Sequence, residues 1–510
     1  MTPVSAGPRL SWGVVVMTVA ASAVLAYRPM LLPLLIAVAL MLDVARPEAS
    51  GRCPIGVVRW STVGARFAPW VPVLIGIGWM LFAAPLPTDD LLRHINGKVW
   101  EFSYADHFGQ HDVRMDWSFW VGFDDAVGTL HEAIGRDVLR TTRIVRAVLV
   151  LIVGAALVRA SIACNHDPLV QVIVVSSCLL WLLWPRLNLG RPEALYTAVV
   201  LAGIFLSRLQ WVALCFLLIP GYCLAPVYAV GSLLLGRDEE PELGRLARNL
   251  TAGAVVAVGG VVFWWTYSAG DLWRVLGVLG QVAQVNQHQD QVVGELRPLM
   301  DSLKSVWFLV VVGALLALSW ASLGRVGVVS RRRAAWLVAV ACFFALPDHA
   351  RYAPLVFTLL VLACSALLPP IKLPVLHRAA GTLAAVAAGI SMLGFRGAVE
   401  ADDEVLRGLA VRQPGAQILA PFNQSLYLAT SANPDSVVTP IFDLASIRPA
   451  AREVVAELTH GSLNCEKVRA LQRFDYVVEN TLQGRPPTCL ELVRIAGAWR
   501  LWRVTAEGQP

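Results

Sequence analysis

Two adjacent carboxylates, Asp89 and Asp90, stand where an apolar run ends and a polar stretch begins, in Leu86-Pro87-Thr88-Asp89-Asp90-Leu91-Leu92-Arg93-His94. The run before them, Ala68 to Pro85, is long enough to cross a bilayer at about 1.5 Å per residue. A carboxylate at a membrane–water boundary stays ionised and can meet a substrate held by a lipid tail, which at the bilayer centre would carry a large electrostatic cost. Either acid alone also suits the cap of the following helix. A pair beside Arg93 and His94 suits proton abstraction from a hydroxyl next to a bound anion.

Three further polar segments carry residues of the same kind. Pro185-Arg186-Leu187-Asn188-Leu189-Gly190-Arg191-Pro192-Glu193 reads as one loop, Ser268 to Lys304 as a second, and Pro347-Asp348-His349-Ala350-Arg351-Tyr352 as a third. Arginine offers bidentate hydrogen bonds to phosphate, and a juxtamembrane His and Tyr add donors. A lone arginine there also suits headgroup contact, so Arg351 beside His349 is a stronger candidate than Arg191 alone. Asp106, His107, His111 and Asp112 also cluster, but with no cysteine among them they suit a hydrogen-bonded loop better than a metal site.

The elements that must position these groups follow from composition. With 56% hydrophobic and 15% charged residues over 510, the chain is far more apolar than a soluble protein of its size. It reads as an α-helical polytopic membrane protein. The net charge of +6 comes from arginines in short loops, which sets orientation and argues against nucleic acid. Runs from Leu10 to Ala26 and on to Val44 form a helical hairpin, and the loop Ala45 to Phe67, with Arg46, Arg52, Arg59 and Arg66 against Glu48, reads as cytoplasmic. The loop over residues 87–140 is then on the far side. Within it, Asp90 to Tyr104 and Asp124 to Arg140 read as helices lying on the membrane surface.

Ten more apolar runs follow: Thr142 to Ile162, Leu169 to Trp184, Ala194 to Leu206, Trp211 to Leu224, Ala225 to Leu235, Leu250 to Tyr267, Ser305 to Leu323, Ala334 to Leu346, Ala353 to Leu368 and Val375 to Phe395. The expected total is about 13 transmembrane helices over residues 1–398. Treating Trp211 to Leu235 as a hairpin keeps Arg331, Arg332 and Arg333 inside. Residues 399–510 read as a small α/β domain outside the cytoplasm, with β-like runs at Gln417–Ala420, Ser436–Thr439, Tyr476–Glu479 and Trp499–Val504. Cys465 and Cys489, the two cysteines of this domain, read as a disulfide.

The acidic pair, the surface helices, the Arg-Pro-Glu loop, the Pro-Asp-His-Ala-Arg-Tyr loop and the ending Phe-Asp-Tyr-Val-Val with Leu-Trp-Arg-Val together resemble a bacterial integral-membrane glycosyltransferase of the GT-C superfamily. The extra N-terminal hairpin departs from many relatives. The resemblance implies an inner-membrane enzyme that moves a sugar, with inversion, from a polyprenyl-phosphate donor to an extracytoplasmic glycan, lipid or protein. It implies Asp89 or Asp90 as general base. It implies a donor- and phosphate-binding set of His94, Arg191, Glu193, His349, Arg351 and Tyr352. A divalent cation, Mg²⁺ or Mn²⁺, fits between Asp90 and the phosphate, and a metal-free site fits equally. The competing classes are a transporter or flippase of lipid-linked saccharides, and a polymerase or ligase of them.

Overall fold

A computed structural model describes residues 67–83, 91–92, 94–95, 120–206, 208–222, 224–234, 242–273, 299, 327–368, 409, 411, 413–420, 437–439, 465, 474–480 and 488–505. The N-terminal hairpin, Asp89, Asp90, the Asp106–Asp112 cluster and the runs Ser305 to Leu323 and Val375 to Phe395 lie outside the described residues. So do Pro449 to Thr459 and, apart from Cys465, Cys465 to Arg473, the two stretches that read as helical beside the strands.

The described part is mostly helical. A 3-10 turn, Ala68–Trp70, leads into α1 (Val71–Phe82). There follow α2 (Val121–Ala133), α3 (Val138–Cys164), α4 (Pro168–Ser177), α5 (Trp184–Leu189), α6 (Glu193–Ala202), α7 (Arg208–Leu218), α8 (Ala225–Leu233), α9 (Glu242–Tyr267), α10 (Val328–Ala345) and α11 (Ala353–Ala366). Two helical stretches, Val138–Cys164 and Ala247–Tyr267, are long and apolar enough to cross a membrane. Helices α7 and α8 span only about 16 and 14 Å at 1.5 Å per residue. Each is half the bilayer core of roughly 30 Å, so the run expected as two full spans is here a pair of short helices in contact, joined at Pro220 and Tyr222.

Local chemistry sets the breaks. The expected surface helix from Asp124 to Arg140 is in fact two elements. Gly135 and Arg136 take φ of 80° and 61° and end α2, and the Asp137 carboxylate accepts from the Arg140 N–H to start α3. The expected loop from Pro185 to Glu193 is also ordered. Pro185, in the first turn of α5, needs no N–H partner there, Gly190 closes α5 at φ 70°, and Glu193 opens α6.

Helix α3 is the ruler of the bundle, about 40 Å long at its 27 residues. Small residues let α1 lie against it: a Cβ on Gly154 would sit 2.6 Å from Val73. Near its start, the buried Arg146 donates through Nη1 to the Asn188 carbonyl at 3.1 Å and to Asn188 Oδ1 at 3.3 Å, holding α5 in place. At its far end the Ala163 carbonyl accepts from Arg333, and Asn165 donates to the Ser365 carbonyl at 2.7 Å. The Arg331–Arg333 end of α10 therefore lies at one pole and the α5–α6 turn toward the other, about 25 Å apart along α3.

The C-terminal strands form one mixed sheet: β1 (Gln417–Leu419), β2 (Val437–Thr439), β3 (Tyr476–Glu479), β4 (Leu490–Ala496) and β5 (Trp499–Val504), in the order β2-β1-β3-β5-β4. Strand β1 runs parallel to β2 and β3, and β5 antiparallel to β3 and β4. Side chains alternate as strand geometry demands: Ile418, Val478 and Leu501 belong to the main apolar core, whereas Leu419, Val477 and Trp502 gather with Cys489 in a second cluster. Cys465 and Cys489 are bonded there, Cα atoms 6.0 Å apart.

Candidate functional site

Helices α3, α5, α6, α8 and α11 and the 3-10 turn Ala350–Tyr352 meet toward the pole opposite Arg331–Arg333. A pocket there is lined on one side by Arg186, Glu193, Thr197, Tyr228 and Arg351, and on the other by apolar residues such as Val153, Leu183, Leu187 and Leu355. It is narrow, with room for about one water, and it opens to solvent. Glu193 and Thr197, four residues apart, share one face of α6.

The acid of this pocket is unusual. Glu193 is 5% exposed, and among the described residues neither of its carboxylate oxygens has a hydrogen-bond partner. Its place in the first turn of α6 lets the helix end support its charge, but that end supplies no bond to the oxygens. A buried carboxylate left without donors loses its hydration with nothing in return. Arg351 is held in a 3-10 turn, Ala350–Tyr352, and its Nη1 donates to the Tyr222 hydroxyl at 2.9 Å.

An aromatic run ties this pocket to the chain just after the acidic pair. Tyr222 stacks on Trp120 with ring centres 3.8 Å apart and planes 2° apart. Trp120 meets His94 edge-on at 5.8 Å, and Phe123 meets it edge-on at 4.8 Å. In the other direction Tyr196 reaches Tyr228 at 5.2 Å, and Tyr228 reaches Tyr352 at 5.6 Å. Edge-to-face and offset contacts of this kind favour one fixed geometry.

His94 is buried, its Nδ1 paired with Asp124 of α2, while Nε2 has no hydrogen-bond partner among the described residues. A carboxylate on Nδ1 orients the ring and leaves Nε2 as the remaining proton acceptor or donor. Leu91, the residue directly after Asp90, is fully buried and packs on Gly190, where a Cβ would overlap its side chain. Gly190 is thus required twice, by its φ and by Leu91.

Of the residues expected to bind a donor, Glu193 and Arg351 share the pocket. Tyr352 is buried behind it against Tyr228 and Phe344. Arg191 is buried in the turn before α6, its backbone N–H on the Arg186 carbonyl. His349 lies half-buried in the turn before Arg351, with Nδ1 unpartnered among the described residues. Asp348, in the same turn, accepts from the Leu299 N–H at 3.0 Å.

Sequence reasoning did not single out Arg186, Tyr228, Asp124 or Arg146. Arg186 stood in a quoted motif, yet nothing marked it above Arg191. Tyr228 sits inside an apolar run, where a tyrosine signals nothing by itself.

Away from the pocket, His131 donates from Nδ1 to Thr141 Oγ1 at 2.8 Å, since that hydroxyl gives its own proton to the Asp137 carbonyl. Burial, and then nearby Arg136, hold His131 below the ordinary value of 6.5 against the pull of Asp137 and Glu132. Among the described residues, no three His, Cys, Asp or Glu side chains gather as a metal centre would require. No protein-family model, curated protein or solved structure matches the chain.

Proposed function

We propose that the chain is an inverting glycosyltransferase of GT-C type, which moves a sugar from a polyprenyl-phosphate donor to an acceptor outside the cytoplasm. The observation that carries this reading is the pocket that brings Arg186, Arg351 and Glu193 together beneath apolar walls. Guanidinium groups suit the donor phosphate, and the apolar side suits the first units of a prenyl chain.

The chemistry needs a proton acceptor beside the incoming hydroxyl and cations beside the departing phosphate. Asp89 or Asp90 is the acceptor in this reading. Support comes from Leu91, one residue on, seated against the α5–α6 turn, and from His94, linked through Trp120 and Tyr222 to Arg351. The hydroxyl oxygen attacks the anomeric carbon as its proton passes to the Asp carboxylate. The bond from that carbon to the phosphate oxygen breaks, and its electron pair stays on the phosphate.

In this reading the chain has about thirteen spans in an inner membrane, with Arg331–Arg333 on the cytoplasmic side and the pocket and the C-terminal sheet beyond. The separation of those arginines from the α5–α6 turn along α3 supports it. A reporter active only outside the cytoplasm is expected to be active when fused after Ala401 and silent after Arg332. The reverse pattern overturns the placement.

A flippase or transporter of lipid-linked sugars is the second reading, favoured by the same buried Glu193. Purified protein given a polyprenyl-phosphate sugar separates the two. An enzyme leaves bare polyprenyl phosphate and a glycosylated acceptor, whereas a transporter returns the donor intact.

A further inference from the structure

We infer that Glu193 is the residue that reads the sugar, accepting hydrogen bonds from its hydroxyl groups while Arg186 and Arg351 hold the phosphate. The inference rests on the glycosyltransferase reading and adds to it a division of labour within one pocket. It starts from the two Glu193 oxygens, buried and without hydrogen-bond donors among the described residues. Two carboxylate oxygens offer about four acceptor positions, which vicinal hydroxyls of a sugar fill in pairs. Thr197, one helical turn on and also lining the pocket, adds a hydroxyl on the same face.

Charge distinguishes this from a cation site. The pocket lining carries the guanidinium groups of Arg186 and Arg351 and the carboxylate of Glu193. A sugar-bearing polyprenyl phosphate is a phosphodiester with a single negative charge, which guanidinium groups suit. A divalent cation on Glu193 would instead add two positive charges beside two arginines in a buried site, which is costly. Glu193 also opposes anion binding by its own charge. It therefore lowers the affinity for a bare phosphate and recovers it only for a phosphate that carries hydroxyls.

The test is binding of three lipids to the full-length protein in nanodiscs: decaprenyl phosphate alone, and the same lipid bearing a hexopyranose or a pentofuranose. The parent is expected to bind one sugar-bearing lipid on the order of 10- to 100-fold more tightly than the bare lipid, the range for hydrogen bonds to a charged group. Glu193→Gln should abolish that advantage while binding the bare lipid as tightly as the parent or more so. Glu193→Asp, which keeps the charge, should leave the bare lipid unchanged and retain part of the advantage. Arg351→Ala should weaken all three lipids together.

If Glu193→Gln weakens the bare and sugar-bearing lipids equally, or leaves their ratio as in the parent, Glu193 does not read the sugar. A sugar advantage that disappears when EDTA is added to the parent assigns sugar recognition to a bound cation and also overturns the inference. Failure of the parent to bind any of the three lipids overturns the glycosyltransferase reading itself.

Discussion

Glu193 and Glu479 are both buried glutamates, 5% and 0% exposed, in surroundings that treat a carboxylate in opposite ways. In the sheet, Glu479 accepts from Trp502 Nε1 at 2.7 Å and faces Arg500 at 3.6 Å, so its charge is met by the fold itself. In the helical pocket, Glu193 lies beside arginines in a lining that gives its oxygens no donor among the described residues. A buried acid whose partners are built in belongs to stability. One whose partners are left out is set to receive them from a ligand, and the fold bears the cost of its burial in the meantime.

The largest expected effect is on chemistry at the pocket end. On the proposed glycosyltransferase reading, Asp89→Asn or Asp90→Asn, whichever is the base, should lower turnover by roughly 10²- to 10⁴-fold with donor binding intact. Turnover within a few-fold of the parent for both single variants and the double variant would remove the catalytic half of the contrast. Next comes the sheet. Opening the Cys465–Cys489 bond releases a loop of 24-residue separation, which chain entropy values at about 3 kcal/mol. Replacing both cysteines by Ala should destabilise the sheet by that order in denaturant melts and leave lipid binding unchanged.

The two glutamates themselves give the sharper test. Glu479→Ala leaves the Trp502 N–H without its acceptor and should cost about 1 to 3 kcal/mol, with no change in lipid affinity. Glu193→Gln should leave the melting temperature unchanged or raise it. A fall as large as that of Glu479→Ala would show that Glu193 has structural partners after all, and the comparison would collapse.

The smallest effect is the pH response of His131. Its pKa is lowered by folding, so the unfolded chain takes up the proton first as pH falls. Stability should be flat above about 6.5, decline below it, and level off once the folded form is protonated too. His131→Gln should remove that decline from the thermal melts, and an unchanged pH profile would show that another group carries it.

Much of this architecture was legible in the sequence because apolar runs, strand alternation and cysteine placement are local signals. The runs at α3, α9, α10 and α11, four of the five strands and the Cys465–Cys489 pair could be read that way. Strand β4 escaped because it is an edge strand with Leu492, Val493 and Ile495 on open surface, so burial gives it little pattern. The Pro185–Glu193 segment misled because Pro and Gly mark both loops and helix ends. Only the Leu91–Gly190 contact and the φ at Gly190 distinguish them. The joining of Glu193 to Arg351 could be expected only through the family resemblance, which put both in one donor-binding set, since neither residue by itself carries a sign of the other 158 positions away.

The seating of Leu91 on Gly190 also sets a timetable. A ribosome working at about 5–20 residues per second makes Gly190 only some 5 to 20 seconds after Leu91. Arg351 follows a further 129 residues after the tyrosine that receives its hydrogen bond. Until each is made, the growing chain carries Leu91 with no turn to receive it, and an acid at 193 with no cation from 351 beside it. Synthesis that stops early therefore yields only fragments in which the pocket has never been assembled.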